Sequence, residues 1–514
     1  MINIKGSVVV KKHSAFGILF ALLVTGCGQD SSIVDDGVPV DTAPTSEMAI
    51  VTFCAACHPM PNPTSFAKDR WHHEVRQGID LYRKSQRTDL VIPDFAATLA
   101  WFERFAPEQL TFQPLPETPP GDSQQASPFQ RVAVPLMGTG DVKPGLSAVS
   151  HAAVLTTDPV GFAVADMRTG QLWRAASATE GLQLESIGHV ANPAHIEPVD
   201  LDGDGQQEFL VADLGGFFPM RDKRGSLWWF QPQGDGNWQR VALRMGMMRV
   251  ADVRPADFDA DGDLDLVVAE FGMHFQGGIH LLTNVGVKDG VPQFEQRVLD
   301  DRAGGIHVPV IDLNRDGHLD FVALISQHHE AIVAFINQGD ATFRTETIYQ
   351  AGDPSYGSSG IELVDLDSDG DTDVLLSNGD TFDDAIPKPI HTIQWLENQG
   401  TYPYLHHHIG QLPGAYRAVA GDVDLDGDLD VAAVALLVDA SLPDHPSGTF
   451  DGVVYFEQQD GGDFVRHRLQ PDLCDSATCS LIDWDGDGDL DLVTFPFGAS
   501  LQPSDSITLF RNDR

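Results

Sequence analysis

Basic residues are scarce in this chain: 32 Lys and Arg stand against 75 Asp and Glu in 514 residues, a formal net charge of −43. So acidic a surface cannot neutralise phosphates, which argues against nucleic acid as a partner. Long apolar runs are missing as well, and the N-terminal stretch Ala15 to Thr25 is too short to span a bilayer. No Gly-Ser elbow, phosphate loop or nucleophile with a near partner occurs, so no familiar hydrolase or nucleotide site is legible. Cysteine is rare too, with five in all. What is present is globular material, 42% hydrophobic, and long enough for two domains or one repeat array.

The N-terminus has the grammar of an export signal. Lys5, Lys11 and Lys12 precede the apolar stretch, which ends Leu23-Val24-Thr25-Gly26-Cys27. This resembles a bacterial lipobox, and the resemblance implies cleavage before Cys27, lipidation of that thiol and a polar tether over 27–45. The implied lipoprotein signal peptide covers 1–26, and the alternative is an ordinary signal peptide with a chance cysteine. Gly28 after the cysteine fits sorting to the outer membrane, facing the periplasm or the cell surface. The last pair, Cys474 and Cys479, sits in one short segment of an exported chain and predicts a disulfide, with two free thiols as the alternative.

Cys54-Ala55-Ala56-Cys57-His58 is a C-x-x-C-H string, the attachment pattern of c-type haem. Two thiols on one helical turn reach both vinyl groups, and the next residue offers an imidazole to iron. No second cysteine pair lies nearby to complete a zinc site. Helices are predicted from Glu47 into the motif, from about Thr64 through the stripe Trp71, Val75, Ile79 and Tyr82, and after Pro93-Asp94 through Phe95, Leu99, Phe102 and Phe105. Residues 46–115 resemble a small cytochrome c. In that family a Met-Pro pair before the last helix often gives the sixth iron ligand, but here the pair reads Ile92-Pro93. His72 and His73 remain as candidates, and His72, bordering the apolar stripe, is preferred. A five-coordinate or water-bound iron is the alternative.

From residue 200 one motif recurs six times at intervals of 53 to 61 residues. Its acids are Asp200, Asp202, Asp204 and Glu208, then Asp257, Asp259, Asp261 and Asp265. Asp312, Asn314, Asp316 and Asp320 follow, then Asp365, Asp367, Asp369 and Asp373. The last two sets are Asp422, Asp424, Asp426 and Asp430, and Asp483, Asp485, Asp487 and Asp491. Oxygens at positions 1, 3 and 5 converge when the loop curls, glycine at 6 permits the turn, and a carboxylate at 9 closes the site. Hard oxygen ligands of this number suit Ca2+. Strand-like runs follow each loop, which excludes an EF-hand, and four strands per interval make one propeller blade.

The pattern resembles the FG-GAP/VCBS repeat family, known from integrin-type propellers with calcium in these hairpins. The resemblance covers about residues 129 to 514 and implies a mainly β fold, a seven-bladed β-propeller after a small all-α segment. Residues 147 to 188 read as a blade without metal, and Phe129 to Val134 as an outer strand that closes the last blade. Six blades with an irregular extension are the alternative.

Long, dissimilar connections fall on the face opposite the acidic loops, the default place for recognition. Gln327-His328-His329-Glu330 lies there; it can bind metal or move protons, although surface polarity is the plainer reading. Two functions follow. In the first, haem passes electrons while the propeller binds a redox partner protein or a glycan. In the second, the chain is a haem-linked periplasmic dehydrogenase with its substrate on the long-loop face.

Overall fold

The computed structural model describes residues 46–112, 127–138, 144–218, 221–234, 236–382, 384–437, 449–459, 462–498 and 503–514. The chain divides into two units, Met1–Ala43 and Pro44–Arg514. The export signal, Cys27 and the whole of the tether lie outside the described residues.

Three α-helices open the second unit: α1 (Glu47–Cys54), α2 (Trp71–Lys84) and α3 (Phe95–Phe105). Ser46 caps α1 by accepting from the Ala49 N–H, and Asp94 caps α3 through Ala97. α2 buries Trp71, Val75, Ile79 and Tyr82, the predicted stripe, but it starts later than expected because two 3-10 turns precede it. Trp71 stacks on Phe102 of α3 at 4.0 Å. α1 stops at Cys54, so Cys57 and His58 lie beyond the helix and not on its last turn. Pro59 keeps the residue before it, His58, out of helical geometry.

The rest is β-structure arranged in four-stranded sets that fit a β-propeller. Among the described residues four sheets have four strands, one has five and one has eight. The five-stranded sheet is a set whose first strand is broken into Gly305–His307 and Val310–Ile311, next to Pro309, which has no N–H for the ladder. The eight-stranded sheet joins two sets through strand Phe129–Gly138. That strand pairs antiparallel with Ser506–Asn512, Phe129 opposite Asn512, and its end runs parallel to the start of Gly181–His189.

Burial follows position within each set. Second strands such as Asp320–Ile325 and Asp430–Ala435 are buried at every residue, whereas the fourth strand Trp238–Met247 alternates toward solvent. First strands of successive sets touch in chain order from Val149–Thr157 to Ser476–Ile482, and those two strands also touch each other. Among the described residues no helix is long and apolar enough to cross a membrane.

Candidate functional site

The helices lie against one face of the strand sets. Ser65 hydrogen-bonds Asp353, and the buried Lys388 ammonium stands over the Phe66 ring at 4.8 Å while paired with Asp384 at 2.6 Å. Between the helices and that face is a cavity of about 370 Å³. Cys54, Cys57 and His58 open onto it together with apolar side chains of α1, α2 and α3, among them Phe53, Val75, Ile79 and Phe102. The facing wall comes from strand connections: Met273 to Phe275, Ser326 to His328, Glu330, and Gly357 with Ser358. These are the connections opposite the acidic loops.

Cys54 and Cys57 are separate thiols; burial raises Cys54 to about 11, and Cys57 accepts a hydrogen bond from Arg87 at 2.8 Å. His58 Nδ1 lies 2.8 Å from the Pro59 carbonyl, which can only accept. In the neutral ring the proton therefore sits on Nδ1 and the Nε2 lone pair is left for a metal, the arrangement common to ligating histidines. Facing His58 at a ring separation of 5.9 Å is His328, whose Nε2 is buried without a hydrogen-bond partner. Burial lowers His328 to about 4, so its ring is neutral. The His274 ring is also near His328, with centres 5.6 Å apart.

His72, the preferred sixth ligand, is placed elsewhere. It is exposed on α2 with its ring edge-on to Phe95 at 5.2 Å, and it does not line the cavity. His73 is exposed too. The residue that does face His58 comes from the His-His-Glu connection 270 residues away in sequence. Its composition was the one available signal; its location could not be read from local spacing.

The acidic loops form five clusters in which three acids converge within 4.8 Å: Asp200, Asp202 and Glu208; Asp257, Asp259 and Asp261; Asp365, Asp367 and Asp373; Asp422, Asp424 and Asp426; Asp483, Asp485 and Asp487. The third loop is not among them, because Asn314 offers an amide. The glycine at position 6 has positive φ in all six loops, from 84° at Gly205 to 102° at Gly427. In five loops its N–H donates to the first aspartate, as Gly262 does to Asp257 at 3.0 Å. Inward oxygens lack donors: Asp365 Oδ1 and Asp424 Oδ1 are buried and unpartnered. An orphaned carboxylate oxygen amid other acids is the environment a hard cation satisfies.

Position 9 has a second task that the spacing did not disclose. Asp320 accepts from Leu313 N–H at 3.0 Å and from Asn337 N–H at 2.7 Å, tying the loop to the end of the third strand. Asp265, Asp373, Asp430 and Asp491 do the same, and all are buried. Burial raises each of these four to about 6. Of the six residues at position 9, only Glu208 and Asp373 enter the converging clusters.

First strands carry a further charged group inside the sets. Arg254 bridges Asp252 and Glu197 at 3.1 and 2.9 Å, and His195 lies 2.9 Å from Glu197 and 3.3 Å from Asp252. The His151 ring packs against His195 at 3.9 Å, tilted by 31°. Burial outweighs the neighbouring carboxylates and lowers His195 to about 3.

The expected Cys474–Cys479 disulfide is absent. The two thiols are separate and pack in different core clusters, Cys474 with Phe450 and Val454, Cys479 with Val419 and Val434. Cys474 precedes the strand Ser476–Ile482 and Cys479 lies within it. Burial raises both to about 12.

Fold and loops together define a β-propeller built from repeats with acidic turns. The repeats are FG-GAP-like: that repeat pattern matches residues 200–268, 257–323 and 312–376. No curated protein matches the chain. Among solved structures, the crystal structure of the Saccharomyces cerevisiae Sqt1 is similar at 11% identity, over 71% of this chain and 84% of that one, with a TM-score of 0.39.

Proposed function

We propose that this chain is an exported, lipid-anchored c-type haem protein. A calcium-stabilised, seven-bladed propeller docks a redox partner protein or a glycan, and the haem exchanges electrons. The observation that carries the haem is the cavity onto which Cys54, Cys57 and His58 all open, with His58 Nδ1 committed to Pro59. Cys54 and Cys57 would hold the porphyrin edge and His58 Nε2 the iron, while Phe53, Val75, Ile79 and Phe102 exclude water. The haem supplies one-electron exchange when bound. Its walls supply the low-polarity setting that tunes the potential.

Calcium is supported by the converging acids and by their unpartnered inward oxygens. Anchoring rests on the lipobox-like run ending at Cys27, and an envelope location follows from it. A pyridine haemochrome spectrum of full-length protein, produced with c-type maturation machinery, tests the haem. One covalently bound haem per chain is expected, lost in the double variant Cys54→Ser, Cys57→Ser. Absence of covalent haem from the parent protein would reject the reading.

A further inference from the structure

We propose that His328, carried by the β-structure and not by the cytochrome-like helices, is the second axial ligand of the haem held at Cys54, Cys57 and His58. The inference rests on the haem reading above. Two imidazoles on opposite sides of one iron stand about 6 Å apart between ring centres, two bonds of about 2 Å plus a ring radius at each end. His58 and His328 are 5.9 Å apart, with ring planes 27° from parallel. His328 Nε2 is buried and has no hydrogen-bond partner, although the ring lies in a polar connection. A buried unsatisfied nitrogen is costly, and a metal bond removes the cost.

The connection that holds His328 is built stiffly. Gln327 and Glu330 flank it at positive φ, 58° and 44°, which non-glycine residues rarely adopt. Gln327 accepts from the His274 N–H at 3.0 Å and donates to Phe271 O at 3.1 Å, which ties the connection to the neighbouring hairpin. Glu330, fully buried, accepts from the Ser358 N–H at 2.9 Å. The His274 ring packs against it with planes 14° from parallel. No residue of the helices offers an equal alternative: His72 and His73 are exposed, and Met60 packs in the helical core without lining the cavity.

The consequence is a haem clamped between the two parts of the second unit. Its ligation is complete only while the helices stay seated on the strand face. Bis-imidazole ligation also sets a lower potential than His/Met ligation.

The test uses full-length holoprotein and the variants His328→Ala, His328→Met, His274→Ala and His72→Ala. Haem content is read by pyridine haemochrome, and ligation by electron paramagnetic resonance and near-infrared bands of the ferric form. The parent, His274→Ala and His72→Ala are expected to be low-spin bis-imidazole. His328→Ala should keep its covalent haem but lose the low-spin signal, and added imidazole should restore it. His328→Met should move to a His/Met signature with a raised potential. A haem-replete His328→Ala that stays bis-imidazole, or a loss of low-spin signal confined to His72→Ala or His274→Ala, would overturn the assignment. A parent without covalent haem would instead reject the haem reading on which it rests.

Discussion

At the residue scale, the buried charges between first strands are the most sensitive points of the β-structure. Asp252 is fully buried and accepts from Val253 N–H, Arg254 and, across to the next set, Val308 N–H at 3.0 Å. Removing it leaves Arg254 short of a partner inside the protein. Asp252→Ala should cost about 3–5 kcal/mol in a denaturant melt; a loss within ~0.5 kcal/mol would contradict the pairing. His195 gives a pH signature. Its folded pKa is held near 3, below the ordinary value of about 6.5. Between those values the unfolded chain binds the extra proton, so this histidine's contribution is lost as pH falls through that window. Asp252, Glu197, Arg254, His151 and His307 face it and titrate or carry charge as well, so the clean observable is a difference. His195→Gln should lose less stability than the parent between pH 6.5 and 4, measured by thermal melts at saturating calcium. Parallel curves would contradict the buried neutral imidazole.

At the scale of the element, the acidic loops do two things that chelation can separate. Acids at positions 1, 3 and 5 converge in the second, fifth and sixth loops, whereas position 9, as at Asp320, accepts backbone N–H groups from its loop and from the third strand in every loop but the first. Asp320→Ala strands the N–H groups of Leu313 and Asn337, at about 1–3 kcal/mol each. That loss should persist in excess chelator. Chelation of the parent should itself lower the melting temperature sharply, because unscreened carboxylates then repel one another. An unchanged parent melt would remove the calcium claim, and an Asp320→Ala defect that vanishes in chelator would make position 9 a ligand only.

Legibility followed sequence distance. The loop motif and the α2 stripe are local periodicities, so the strand order and the buried face of Trp71, Val75, Ile79 and Tyr82 could be read directly. The dual task of Asp320 needed the third strand's return, which spacing alone does not place. Cys474 and Cys479 looked paired because they are close in sequence, but Cys474 precedes the strand that carries Cys479 and the two thiols pack into different cores. His328 was visible only as a polar tripeptide. Its position opposite His58 depends on how the helices seat on the strand face, and no local pattern encodes that docking.

At the scale of the whole molecule, strand Phe129–Gly138 joins chain start to chain end by pairing with Ser506–Asn512. Deleting residues 127–138 should uncover the edge of Ser506–Asn512. The expected outcome is a lower melting temperature and cleavage of the C-terminal strands in limited proteolysis. An unchanged digestion pattern would contradict the closure.

The central claim is that Cys54, Cys57 and His58 form a haem attachment site within the cavity under the β-face. Its most direct test is mass spectrometry of the peptide containing Cys54 to His58, cut from full-length protein made with c-type maturation. The account predicts a peptide heavier by one haem, with neither thiol open to alkylation. A peptide of unmodified mass with two alkylatable thiols would contradict it.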